Sequence, residues 1–280
     1  MTTETPALSD DGFLDGRLRI LQPRAGFRAA TDSVLLAAAV PARAGQSVLE
    51  LGCGVGVASL CLGARVAGLA LTGVELQPFE AGLARRNAAR NDLALEVVTA
   101  DLARLPESLR ARRFDHVIAN PPYDPAGGGT AARQPGRECA RREATPLALW
   151  ADIGLRRLRD RGWLTMIHRA DRLPDLLAAL EGRAGDVAVR PVTARAGRRA
   201  GRIVLRARKG ARGPFRLLAP LVLHDGDAHR ACAGDPARRG GAGHGPLTEG
   251  AGHDSARSAA AARASRVTGR GFCAALGVQS

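Results

Sequence analysis

At 280 residues, 45% of them hydrophobic, the chain can bury a sizeable core in one or two domains without disulfide staples. It contains no apolar run of roughly eighteen residues, and its first residues, MTTETPALSDDG, carry acids instead of an apolar leader, so neither a membrane helix nor a signal peptide is expected. The net charge of +14 is uneven (−1 over residues 1–132, +13 over 133–216 and +2 over the rest) and is almost all arginine, Lys209 being the only lysine. A strongly basic second half suggests a polyanionic partner, RNA or DNA, with a solvated basic face as the plainer alternative. The five cysteines, Cys53, Cys61, Cys139, Cys232 and Cys273, form no C-x-x-C pair, which argues against a zinc site or a disulfide framework and fits a reducing cytoplasm.

Residues 1–12 read as a flexible tail, followed by a short hairpin over 13–23 with Asp15-Gly16 as its turn. Asp32 precedes SVLLAAAV and suits the N-cap of a helix that ends before Pro41. Strand and helix then alternate: strands at 47–51, within 69–76, at 95–100 and at 114–120, with helices over 57–67 and 78–91, Pro78 sitting where a first turn begins. A Gly- and Arg-rich loop spans 124–142, a helix 146–158, a fifth strand WLTMIH, a helix 173–180, and two last strands 187–192 and 202–208 joined by the basic TARAGRRAG. This pattern predicts a doubly wound, mostly parallel seven-stranded α/β sheet, with an N-terminal hairpin and an antiparallel C-terminal edge. Beyond 224 the periodicity collapses into Gly, Ala and Arg, and 225–280 is expected to be poorly ordered.

Chemistry concentrates at the ends of the predicted strands. Glu50-Leu51-Gly52-Cys53-Gly54-Val55-Gly56 follows the first parallel strand. Its glycines permit a tight turn and close approach of a ligand, and the spacing is G-x-G-x-G, not the G-x-G-x-x-G of dinucleotide folds. Glu50 ahead of the loop would repel a phosphate but suits a cationic amino group. Glu75, ending the second strand, can accept hydrogen bonds from both hydroxyls of a ribose, although an acid favoured by the helix dipole would look the same. Asp101, ending the third, can accept the amino group of adenine or be a plain loop residue.

The sharpest signal is Asn120-Pro121-Pro122-Tyr123. Two prolines stiffen the backbone and donate no hydrogen bond, so the Pro121 carbonyl and the Asn120 side-chain oxygen can together grip an NH2 group. Tyr123, the only tyrosine, offers a ring on which a base can stack. Cys53 reads as a small packed residue, His116 and His168 as core or edge residues, and His224, His229, His244 and His253 lack ligand spacing, so no metal site is expected.

At these residues the chain resembles the class I S-adenosylmethionine-dependent methyltransferases that carry an (Asn/Asp)-Pro-Pro-(Tyr/Phe) motif. More closely, it is similar to the bacterial tRNA adenine-N6 methyltransferases that modify the adenine beside the anticodon of a valine tRNA. The resemblance covers about 12–168, through GFRAATDSVLLAAAV, ELGCGVG, GVELQP, FDHVIANPPY and the R-x-E-x-x-x-x-x-L stretch from Arg141 to Leu149. It implies a Rossmann-like methyltransferase domain over 13–224, S-adenosylmethionine as cofactor, and an RNA substrate, a tRNA, handled by a cytoplasmic monomer. It further implies that Thr31 touches the cofactor's carboxylate end, that Glu50, Gly52, Gly54 and Gly56 line its methionine part, that Glu75 binds ribose, that Asp101 lies near adenine, and that Asn120, Pro121, Pro122 and Tyr123 hold the target. Arginines of 133–142 and 195–208 are the candidates for phosphate contacts. After about 224 the family's usual final segment is replaced by RACAGDPARRGGAGHG, a divergence or a shifted reading frame. Other substrates remain open: a protein glutamine amide, guanine N2 or DNA adenine, as does a non-catalytic RNA-binding relic.

Overall fold

A computed structural model describes residues 6–25, 28–125, 142–143, 145–225 and 228–229. The chain begins with an antiparallel hairpin, β1 (Leu8–Phe13) against β2 (Leu18–Pro23), with Leu8 opposite Pro23 and Phe13 opposite Leu18. The turn has positive φ at Leu14 and Asp15, the hand that suits the twist of a hairpin, and is closed by Gly16 N–H donating to the Phe13 carbonyl at 3.1 Å. β1 starts inside the segment expected to be a flexible tail. Its polar sequence, LSDDGF, hides the strand because its side chains serve as anchors: Asp10 pairs with Arg19 at 3.2 Å and Arg90 at 2.9 Å, and Asp11 with Arg28 at 2.5 Å.

The main sheet runs β5 (Leu95–Thr99), β4 (Ala70–Glu75), β3 (Ser47–Leu51), β6 (Phe114–Ala119), β9 (Leu158–Arg169), β11 (Arg202–Lys209), β10 (Ala184–Arg195), β13 (Leu221–Asp225), β14 (Ala228–His229), with β12 (Arg216–Leu217) also beside β10. The first five strands are mutually parallel, and β11 is antiparallel to both β9 and β10. Among the described residues, the seven expected strands form this core and three short ones extend the sheet to ten. The expected antiparallel pair forms, β10 against β11, with β11 inserted between β9 and β10 and with β13, parallel to β10, covering its outer side. The expected loop over 124–142 is bracketed by β7 (Asp124–Pro125) paired with β8 (Arg142–Glu143), and its interior lies outside the described residues, as does nearly all of 225–280.

Strand side chains alternate between two apolar layers, as period-two geometry requires. Val48, Ile118, Ile167 and Val204 pack with the hairpin, α1 (Thr31–Ala39), α2 (Val57–Arg65) and α3 (Pro78–Arg90). Leu49, Leu51, Val117, Ala119 and Leu205 pack on the opposite face with α4 (Glu107–Arg110), α5 (Leu147–Arg157) and α6 (Leu173–Leu180). Among the described residues no helix is long and apolar enough to cross a membrane.

Several arginines stabilise this frame by donating to carbonyls. Arg65 caps the end of α1 at the Ala37 and Val40 carbonyls, 3.1 and 2.5 Å away, Arg157 reaches the Leu109 and Arg110 carbonyls, and Arg208 reaches Arg161. Two buried amides fasten the hairpin. Gln22 exchanges hydrogen bonds with the backbone of Ala29, fixing the approach to α1. Asn87 of α3 accepts from Leu21 N–H at 2.8 Å and donates to the Leu21 and Val55 carbonyls, both at 3.0 Å, tying hairpin to glycine loop. Asn87→Ala would strand these buried backbone groups at a cost of about 3 kcal/mol, a fall in melting temperature of roughly 6–12 °C. Thermal unfolding checks this, and an unchanged midpoint would show that the latch carries no stability.

Candidate active site

Chain order reverses between β3, which continues to β4 and β5, and β6, which joins β3 on its other side. A doubly wound sheet opens a crevice at such a reversal, beyond the carboxyl ends of the strands. The predicted motifs fall there: the glycine loop after Leu51, Glu75 at the end of β4, Asp101 two residues beyond β5, and Asn120 directly after β6.

The three loop glycines have positive φ, 64° at Gly52, 53° at Gly54 and 89° at Gly56, a region that strains any residue with a Cβ. They do different work. A Cβ on Gly52 would come within 2.6 Å of the Trp150 ring, so this glycine lets α5 pack close. A Cβ on Gly56 would crowd Leu95 and Ala84, whereas Gly54 faces nothing within 4 Å. The loop is therefore closed against the protein at its ends and open to a ligand at its middle.

Glu75 fixes that open middle: its Oε2 accepts from Gly54 N–H at 2.8 Å and its Oε1 from Gln77 N–H at 2.9 Å. Each carboxylate oxygen retains acceptor capacity for a second partner. Leu76, next in sequence, is 57% exposed, an apolar surface at the strand end that the sequence reading did not single out. Asp101 Oδ1 caps the following single turn by accepting from Ala103 N–H at 2.9 Å. Glu50 is only 3% exposed and points back to α2, where its Oε2 accepts from both the backbone and the hydroxyl of Ser59. Burial, offset by these bonds and reinforced by nearby Glu75, pushes its carboxyl up to about 7. Cys53 is buried and its thiol is pushed far up by burial and the two glutamates, which leaves it a packing residue without nucleophilic character.

At the NPPY corner the Tyr123 phenol oxygen lies 2.6 Å from Asp32 Oδ2 and 2.8 Å from Asn120 Oδ1. Burial, then the Asp32 carboxylate, hold the phenol far above its ordinary range, so it stays protonated and donates. Arg202, the first residue of β11, joins Asp32 through Nε at 3.2 Å and lays its guanidinium over the Tyr123 ring, 4.4 Å from the centroid. On another side the His168 ring meets Tyr123 edge-on at 5.2 Å, with His168 Nε2 3.3 Å from the Pro122 carbonyl. His168 is fully buried and its pKa is depressed by burial to about 4, so it is neutral, and the Nε2–H donates to Pro122.

Two residues of this corner were read differently from sequence, and a third has a role beyond the one read. Asp32, expected as the N-cap of α1, sits inside its first turn; Ala30 holds the cap position without a side-chain bond, because the carboxylate is engaged by Tyr123 and Arg202. Arg202, grouped with the phosphate-contact candidates, is ion-paired in the core of the site. His168, read as a core residue, is one, and it also buttresses the diproline. No spacing in the chain links residues 32, 123, 168 and 202; only the sheet order does. Thr31 begins α1 next to Asp32. Among the described residues no three His, Cys, Asp or Glu side chains group as metal ligands.

The model of the methyltransferase small domain family matches residues 28–133, from the approach to α1 through the NPPY corner. The chain is 30% identical over 231 residues to a Dickeya chrysanthemi tRNA1(Val) (adenine(37)-N6)-methyltransferase, covering 80% of this chain and 90% of that one. It is 35% identical over 179 residues to a Porphyromonas gingivalis protein of the same name, covering 59% and 68%. The fold is similar to the crystal structure of an Agrobacterium tumefaciens protein described as a predicted O-methyltransferase, with a TM-score of 0.59 and 26% identity over 71% of this chain and 90% of that one. With its strand order, its crevice and its relatives in agreement, this chain belongs to the tRNA1(Val) (adenine(37)-N6)-methyltransferase family and is an S-adenosylmethionine-dependent N-methyltransferase.

Proposed function

We propose that the crevice binds S-adenosylmethionine along β3 to β5 and that the Asn120–Tyr123 corner presents the N6 amino group of an RNA adenine, in a tRNA next to the anticodon, for methylation. The observation that carries this reading is the corner itself: a stiff diproline just beyond the carboxyl end of β6, at the sheet's switch point, with Asn120 and Tyr123 in contact.

The residues at hand fit the cofactor. Gly54 leaves the loop open where a side chain would fill it, Glu75 has acceptor capacity for ribose hydroxyls, and Leu76 offers an apolar surface for a flat ring. Glu50 and Gly52 to Gly56 would hold the methionine part, Thr31 its carboxylate end, and Asp101 the adenine side. When bound, the cofactor supplies an electrophilic methyl group on a sulfonium.

The chain's own contribution is to orient the amine and exclude alternatives. A phenol has one proton, and the charged, closer Asp32 takes it. Asn120 Oδ1 lies 2.8 Å from the phenol oxygen; with the phenol proton committed to Asp32, a half-turn of the amide, exchanging its oxygen and NH2, lets the NH2 donate to the phenol oxygen and turns the Asn120 carbonyl toward the crevice. That carbonyl and the Pro121 carbonyl accept the two N–H bonds of the incoming amine, and their dipoles stabilise the positive charge that develops on it, the mirror image of an oxyanion hole. No strong base is needed, because the amine becomes acidic as it is alkylated; neutral His168 serves to hold Pro122 still. The target base must leave its stack to reach the corner, which is cheapest in a loop.

Two outcomes follow. Asn120→Ala should lower turnover at least about 100-fold while leaving the cofactor dissociation constant within about threefold, since only the amine grip is removed. Single-turnover kinetics and calorimetry measure both, and the reverse pattern, lost cofactor affinity with turnover retained, would refute the division of roles. Glu50→Gln should act oppositely on stability and on binding. The wild-type carboxyl has its folded-state pKa raised from 4.5 to about 7, so ionising it in place opposes folding, an effect complete above about pH 7 and absent below about 4.5. The glutamine variant of the ligand-free protein should therefore be more stable by about 3 kcal/mol at pH 8, with the gain shrinking as pH falls through 7 to 4.5. It should also lack the rise in cofactor affinity up to about pH 7 that is expected of the wild type. A variant less stable than wild type at pH 8 would contradict the assignment.

A further inference from the structure

Beside the catalytic corner lies a cavity of about 290 Å³ that neither the resemblance nor the relatives assign, apart from Thr31 at its border, which the resemblance gives to the cofactor's carboxylate end. It sits between the start of α1, the end of β10, the start of β11 and β13. Val192, Ala194 and Leu223 give it an apolar wall, Arg199 and Arg202 bring two guanidinium groups to it, and Asp32 borders it on the side of Tyr123. Asp32 and Arg202 thus belong to both places: they clamp the Tyr123 ring on one side and line the cavity on the other.

We propose that this cavity receives a nucleotide flanking the target adenine in the same RNA strand, its base against the apolar wall and its phosphate by the guanidinium rim. The inference rests on the reading that the substrate is RNA, and goes beyond it by naming where a second nucleotide is held. Three observations carry it. The chemistry is that of a nucleotide, a flat ring with an anion attached, met by apolar side chains edged with arginine. The position is contiguous with the corner that holds the target, so a strand whose target base is turned out brings its next nucleotide there. The rim is also held in shape before any ligand arrives. The Thr193 hydroxyl, buried under the turn, donates to the Arg195 carbonyl at 2.7 Å and lies 3.0 Å from that of Arg198. Arg198 N–H donates to the Arg195 carbonyl at 3.2 Å across Gly197, whose φ is +71°, and Gly201 N–H donates to the Val192 carbonyl at 3.2 Å. A turn so fastened presents Arg199 and Arg202 at little ordering cost.

Ala194→Trp fills the cavity from an exposed position, and Arg199→Ala removes a cation without touching the Asp32 pair. Both variants would be assayed with the intact anticodon stem-loop of the valine tRNA, and with versions carrying an abasic ribose immediately 5′ or 3′ of the target. Ala194→Trp should raise the KM for the intact stem-loop about tenfold with cofactor affinity unchanged. One of the two abasic RNAs should already have a raised KM with wild-type protein and should be nearly indifferent to Ala194→Trp, which identifies the flanking base that the cavity holds. Arg199→Ala should raise KM several-fold and flatten its salt dependence. The proposal is overturned if Ala194→Trp leaves the intact KM unchanged, or raises it equally for all three RNAs. If wild-type protein methylates none of them, the RNA reading itself falls, and this inference with it.

Discussion

The hydrogen bond from the Tyr123 phenol to the Asp32 carboxylate, 2.6 Å long, is the contact on which the organisation of the site depends. It joins the first turn of α1 to the loop after β6, segments 91 residues apart in the chain. Removing it would leave Asn120 without an oriented partner and Arg202 over an unfixed ring. Because the phenol is buried and faces the Asp32 carboxylate, it stays protonated and donates, and the orientation proposed for the Asn120 amide follows from that single proton. The mechanism proposed for the amine grip rests on this order: carboxylate, phenol, amide, substrate.

Much of the remaining structure serves to place that carboxylate. The hairpin β1–β2 lies far along the chain from the sheet's catalytic edge, yet Gln22 fixes Ala29, and Ala29 leads directly into α1. Asn87 fixes the same hairpin to the glycine loop. The glycine loop and the NPPY corner are thereby referred to one small frame, which gives a physical reason for a polar, two-stranded appendage ahead of the sheet. On the other side His168, neutral and buried, holds Pro122 and meets the tyrosine ring. Glu50 represents a different bargain: a carboxyl kept in a dry site where its ionised form opposes folding, a placement that makes sense when a cation is to be bound.

Alternating strand and helix patterns were legible in the sequence because the central strands β3, β4 and β6 are near-continuous buried apolar runs, and the glycine and proline punctuation marks the element ends. The motif residues at strand ends were legible for the same reason, since topology delivers them to one edge. β1 was not legible, because LSDDGF has the composition of a tail and is held by ion pairs to distant arginines. The roles of Asp32, His168 and Arg202 were hidden because contacts between positions 32, 123, 168 and 202 depend on the insertion of β11 between β9 and β10. Charge counting also misled in part: the basic second half includes Arg157, Arg190 and Arg208, which donate to backbone carbonyls of the fold, so its excess overstates the cation available to a nucleic acid.

The most direct test is methyl transfer by the purified protein from isotope-labelled S-adenosylmethionine to tRNA that lacks the modification, followed by mass spectrometry of the digested nucleosides. The account predicts one labelled product, N6-methyladenosine, located to the adenine beside the anticodon and absent with Asn120→Ala. Label on guanosine, on a ring nitrogen, or on a protein glutamine with none on adenosine, would contradict it.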